Sequence, residues 1–98
     1  MQINIKATNA KLTPEAHEII EDKISSLSKY CDCIIGADVE VGLTSFHHQK
    51  GDIYRAEVNL SVPKKILRAS AETDDVTKSI NKVRNILKNE LIKYKDLH

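Results

Sequence analysis

This 98-residue chain has little that invites a catalytic reading: two cysteines, three glycines, two prolines and four histidines. The glycines at 36, 42 and 51 are scattered, so there is no glycine-rich loop of the kind that cradles a phosphate. Cys31 and Cys33 stand one residue apart. A structural zinc site takes four ligands and a redox pair usually reads Cys-x-x-Cys, so these two are expected as buried or half-buried free thiols, which suits a reducing compartment. His17 lies among acids on a helix, His47 and His48 are neighbours in a loop, and His98 is terminal. None has the i,i+4 partner of a helical metal pair, so surface histidines are expected, with no metal and no cofactor. The run Ser25-Ser26-Leu27-Ser28 has no identifiable base to activate a hydroxyl. A binding protein is therefore expected, not an enzyme, and no small-molecule substrate is implied.

Long apolar runs are absent too. None approaches the roughly 20 residues that span a bilayer. Met1 to Lys6 alternates like a strand and lacks the apolar block of a signal peptide, so a cytoplasmic protein with no membrane partner is expected. At 41% hydrophobic and 30% charged, the chain suits one soluble domain with one core over residues 1–98. No linker, repeat or low-complexity segment divides it, and a monomer is expected in solution.

What the chain does have is an uneven distribution of charge. Residues 1–63 hold six basic and nine acidic residues, whereas residues 64–98 hold nine basic and five acidic. The formal net charge of +1 hides this polarity. From position 78 to 95 the chain carries Lys78, Lys82, Arg84, Lys88, Lys93 and Lys95 against the single acid Glu90. A soluble face usually interleaves acids for i,i+4 pairing, so this excess points to a polyanionic partner.

Periodicity organises the rest. Ile3, Ile5 and Ala7 alternate with Asn4 and Lys6, as in a half-buried strand. Thr13-Pro14-Glu15 opens a helix, with Thr as N-cap, Pro at the first turn and an acid at the positive end of the dipole. Its stripe is Ala16, Ile20, Ile24, Leu27 and Cys31, and it should end near Tyr30 to Asp32. Alternation returns over 38–43, over 54–62 and over 66–72, with a polar loop over 44–52 and a turn at Pro63-Lys64-Lys65. Asp74 or Asp75 caps a second helix whose buried stripe is Val76, Ile80, Val83, Leu87, Leu91 and Tyr94. The fold expected is α+β, in the order β-α-β-β-β-α, with two helices packed on one face of a four-stranded sheet. This topology is like that of double-stranded-RNA-binding domains.

On a helical wheel Arg84, Lys88 and Lys95 fall within about 40° of one another beside the apolar stripe. Lys78, Lys82 and Lys93 lie on the far side and opposite flank. The first helix adds Lys23 and Lys29 in its C-terminal half, an arrangement that the helix dipole alone also favours.

Several ordered segments resemble the ribosome hibernation-promoting factor and ribosome-associated inhibitor A family, also described as sigma-54 modulation protein-like. They are Leu12-Thr13-Pro14, Lys23-Ile24-x-x-Leu27-x-Lys29-Tyr30-x-Asp32, Tyr54-Arg55-Ala56-Glu57-Val58, Leu67-Arg68-Ala69-Ser70-Ala71-Glu72, Asp75, Ile80 and Leu91-x-Lys93-Tyr94-Lys95. The resemblance spans nearly the whole chain and implies the same β-α-β-β-β-α fold. It implies binding to the small ribosomal subunit, over the messenger and transfer RNA sites, and silencing of ribosomes in stationary phase or stress. The chain ends at His98, so it resembles the short form, without the C-terminal domain that pairs ribosomes. The resemblance places Lys23, Lys29, Arg68, Lys82, Lys93 and Lys95 where the family tends to carry bases. With Lys78, Arg84 and Lys88 they make the expected set of contacts to ribosomal RNA. Within the second helix, Ile86 and Asn89 replace usual bases, Lys88 replaces a usual acid, and Thr77 stands at a common tyrosine. The alternative is a double-stranded-RNA-binding module not specific to ribosomes. Such modules usually carry a Lys-rich start to the last helix, where this chain has Thr73-Asp74-Asp75.

Overall fold

The computed structural model describes residues 1–45 and 51–97, so the expectations for His47, His48 and His98 fall outside the described residues. Chain order is β1 (Gln2–Thr8), α1 (Pro14–Ser25), a 3₁₀ turn (Ser26–Lys29), β2 (Gly36–Ser45), β3 (Ile53–Val62), β4 (Lys65–Thr73) and α2 (Val76–Leu97). The four strands form one sheet in the order β1-β2-β3-β4. β1 pairs parallel with β2, which requires a crossover, and α1 supplies it. The other two pairings are antiparallel. The β-α-β-β-β-α order read from periodicity is the fold observed.

α1 begins as its residues dictate: the Thr13 hydroxyl accepts from the Ala16 N–H at 3.1 Å, and Pro14 occupies the first turn. The helix tightens into the 3₁₀ turn at Ser26, where Ser25 and Ser26 turn their hydroxyls back onto the carbonyls of Asp22 and Lys23. The apolar stripe runs on through this change, and Ile20, Ile24, Leu27 and Cys31 are all buried. β3 and β4 meet across Pro63-Lys64, with Val62 opposite Lys65. Lys64 takes a φ of 69°, the left-handed conformation that such a turn requires.

The core lies between the inner sheet face and the two helices. Val39, Val41, Ala56, Val58, Leu60, Val62, Leu67 and Ala69 meet Ile80, Val83, Leu87 and Leu91 of α2. Ile3 and Ile5 pack partly against it, whereas Ala7, expected on the same buried face, is exposed at the end of β1. Three side-chain bonds pin α2 along the sheet. Near its start, the fully buried Ser79 hydroxyl donates to the Tyr54 carbonyl at 2.8 Å and lies 2.8 Å from the Thr73 hydroxyl. Near its end, the Tyr94 hydroxyl donates to the Pro63 carbonyl at 2.8 Å. Asp75, the second of the two expected caps, accepts from the Lys78 N–H at 3.1 Å.

Among the described residues no helix covers the outer sheet face, which is polar. Asn4 donates to Asp38 at 3.1 Å, and Glu40 sits directly opposite Glu57. Facing like charges destabilise a sheet, and here each carboxylate has a cation beside it: Lys6 lies 3.9 Å from Glu40 and Arg55 lies 2.7 Å from Glu57.

One expectation is corrected. Cys31 is buried and Cys33 half-buried, as read, but they are not free thiols: their sulfurs are joined. The chain turns sharply after the 3₁₀ segment, bringing the Cα atoms to 5.1 Å, a separation that a disulfide bridges. A reducing compartment therefore draws no support from these residues. No helix among the described residues is long and apolar enough to cross a membrane.

Candidate nucleic-acid interface

The expected contact residues divide into three groups in space. The first gathers where the 3₁₀ turn packs against the middle of α2. Arg84 leaves α2 on the flank facing that turn and donates from Nε to the Ser26 hydroxyl at 2.7 Å. Ser26 spends its own proton on the Lys23 carbonyl at 2.6 Å, so its oxygen is an acceptor toward the guanidinium. One turn further along α2, the Lys88 Nζ stands 5.2 Å from the centroid of the Tyr30 ring, and the Arg84 Cζ stands 5.9 Å from it. Both lie within the range of a cation–π contact.

Arg84 and Lys88 are half-buried. The Arg84 guanidinium, by hydrogen bonding to the phenol, holds the Tyr30 hydroxyl below its ordinary pKa. Partial burial opposes this, and the Lys88 charge adds to it. Neither cation has an ion pair among the described residues. Lys23, half-buried, precedes Ser26 by one turn, and Lys29, exposed, immediately precedes Tyr30.

The second group lies on the solvent side of α2. Lys82 and Lys93 are exposed there, and Lys95, on the flank of Arg84 and Lys88 but two turns beyond Lys88, is exposed too; none of the three has an ion pair among the described residues. Lys78, at the start of the same helix, pairs with Asp74 at 3.2 Å, so its charge is partly answered. This pair is exposed and i,i+4, and such pairs contribute little to stability.

Arg68 stands apart. Leu67 and Ala69 of β4 point to the core, so Arg68 points to the outer sheet face, opposite Asn59 and away from the helices. One surface cannot hold both Arg68 and the α2 cations in flat contact.

Two uncharged residues stand among these cations that the sequence does not single out: Ser26, which reads only as a serine without a base, and Tyr30, which reads as part of a family segment near a helix end. A signal for Tyr30 exists: Arg84 and Lys88 are four apart, so both lie along one helix flank and can reach a single ring. Which ring they reach depends on how the helices pack, and that is not written in local spacing.

Cations on two packed helices, one pair held by an aromatic ring, make a surface suited to phosphates. The chain belongs to the sigma 54 modulation protein / S30EA ribosomal protein family, whose model matches residues 3–98. It is similar to the ribosome hibernation promotion factor of Bacillus subtilis, at 28% identity over 95 residues, covering 97% of this chain and 49% of the relative. The factor of the same name from Deinococcus radiodurans is 32% identical over 96 residues, covering 97% and 50%. The chain thus spans about half the length of these curated relatives. Its fold matches the N-terminal domain of Thermus thermophilus Protein Y with a TM-score of 0.83, at 23% identity over 96% of this chain and 99% of the other.

Proposed function

We propose that this protein is a ribosome hibernation factor that inhibits translation by binding the small ribosomal subunit, its helical basic surface on ribosomal RNA. The observation that carries this reading is the set of α2 cations without acid partners among the described residues, Lys82, Arg84, Lys88, Lys93 and Lys95, in a chain matched by the family from residue 3 to 98. The names of its curated relatives support the partner.

Inhibition follows from occupancy. A domain with principal extents of 46 × 25 × 18 Å, seated between the head and body of the subunit, fills space that messenger and transfer RNA need. No bond is made or broken, so the protein acts by binding and not by turnover. It works in the cytoplasm, as a monomer, in stationary phase or stress.

Co-sedimentation with purified small subunits across a salt series tests the reading. About five phosphate contacts give a log–log slope of affinity against salt near −3.5 to −4.5. A slope near zero would refute the mechanism. Equally tight binding to naked duplex RNA would move the protein to the general double-stranded-RNA class, against which the Asp74-Asp75 start of α2 already argues.

A further inference from the structure

We propose that Tyr30 is a positioning residue: its ring, together with the Ser26 hydroxyl, holds Arg84 and Lys88 as a ready-made seat for one phosphodiester of the bound RNA. The inference rests on the function proposed above and assigns within it a role to a residue that carries no charge of its own.

The geometry gives the reasons. Two cations one turn apart on a helix repel each other and would normally splay into solvent. Here the ring gathers them, with Lys88 Nζ at 5.2 Å and Arg84 Cζ at 5.9 Å from its centroid. The negative face of the ring offsets part of the repulsion, and an anion between the two cations would remove the rest. Arg84 is fixed on its other side, because Ser26 accepts from Nε at 2.7 Å while its own proton is committed to Lys23. The guanidinium is held through Nε, with others of its N–H groups turned to Asn85 Oδ1 at 3.5 Å and to the Tyr30 phenol, and its remaining N–H groups and the Lys88 ammonium are donors for an oxyanion. A mere staple between helices would account for the Ser26 bond. It would not account for Lys88 reaching the same ring, or for the lack of a carboxylate on either cation among the described residues.

With both cations drawn over it, the ring serves to order them and not to stack on a base. Leaving two rotamer-rich side chains free costs each of them a few-fold in affinity, so losing the ring should weaken binding about tenfold.

The test uses the full chain, small ribosomal subunits, and a short oligouridylate as a ribosome-free probe. Tyr30→Leu should weaken subunit binding about tenfold, whereas Tyr30→Phe, which keeps the ring, should stay within about threefold. In an Arg84→Gln/Lys88→Gln background, Tyr30→Leu should change binding less than about twofold, since the groups it positions are gone. Oligouridylate should shift the Arg84 Nε–Hε and Tyr30 ring resonances of the parent protein, and it should leave Arg84 unmoved in Tyr30→Leu.

Unchanged subunit binding by Tyr30→Leu overturns the proposal, including when its melting temperature falls, since that is a purely structural role. Equal losses in both backgrounds also overturn it, because the ring would then touch the partner itself. If the parent protein fails to bind subunits, the proposed function fails; the oligouridylate shifts then decide the seat alone, and their absence overturns it as well.

Discussion

Ser79 offers the sharpest test of how α2 is held in place. Its side chain is fully buried, and its hydroxyl belongs to a small network with Thr73. Thr73 Oγ lies 2.6 Å from the Asp75 carbonyl, Ser79 Oγ lies 2.8 Å from the Tyr54 carbonyl, and the two hydroxyls lie 2.8 Å apart. Two protons serve three oxygen contacts, so the network has no proton to spare. Ser79→Ala removes one of them and leaves the Tyr54 carbonyl without its side-chain donor, while Thr73 can still reach Asp75. Leaving a buried acceptor unsatisfied costs about 1–3 kcal/mol, and the lower half of that range applies because a carbonyl tolerates a single partner. For a domain of this size that means a melting temperature lower by roughly 5–10 °C and a urea midpoint lower by about 1 M, with m unchanged. Paired thermal and urea denaturation of the two proteins would measure it. A loss below about 0.5 kcal/mol, the range of an ordinary surface substitution, would refute the claim that this hydroxyl pins the helix to β3.

The remaining predictions concern charge and close approach. Changing Lys82, Lys88 and Lys93 together to Glu should reduce the magnitude of the salt slope by about 2–3 and abolish co-sedimentation near physiological salt, while circular dichroism stays that of the folded protein. Unchanged co-sedimentation would show that this face is not the one used. Gly42→Ala should destabilise the domain by about 1–3 kcal/mol in the same urea assay, because the added Cβ would sit 2.5 Å from the Thr8 carbonyl oxygen of the adjacent parallel strand.

The strands were legible because each keeps one apolar and one polar face: the alternation over 54–62 reads directly as β3, and it ends where Pro63 cannot extend the ladder. The same alternation also placed Arg68 outside, against its grouping with the helical cations. Period-two geometry decides which face a strand residue occupies, whereas family likeness records only that a base stands there. Ala7 escaped because alternation marks a face but not how far the covering layer extends. The Cys31–Cys33 link escaped because spacing along the chain says nothing of how sharply the chain turns between the two residues. The site was legible as charge and not as arrangement. Arg84 and Lys88 announce themselves, but Tyr30 and Ser26 belong to another helical segment, and only packing brings them together.

The outer sheet face, with Glu40 set against Glu57, has a consequence for the approach to a partner. Asp38, Glu40, Glu57 and Glu72 stand on it beside Lys6, Arg55 and Arg68, so this side has a slight negative excess, while the opposite side carries the α2 cations. A molecule built this way turns as it nears a polyanion, because one side is drawn in while the other is held off. Many misdirected collisions are discarded before contact, and the docking pose is partly selected while the two surfaces are still separated by water. Raising the salt should therefore slow capture as well as loosen the complex, since the torque that turns the molecule fades over the same Debye length as the attraction.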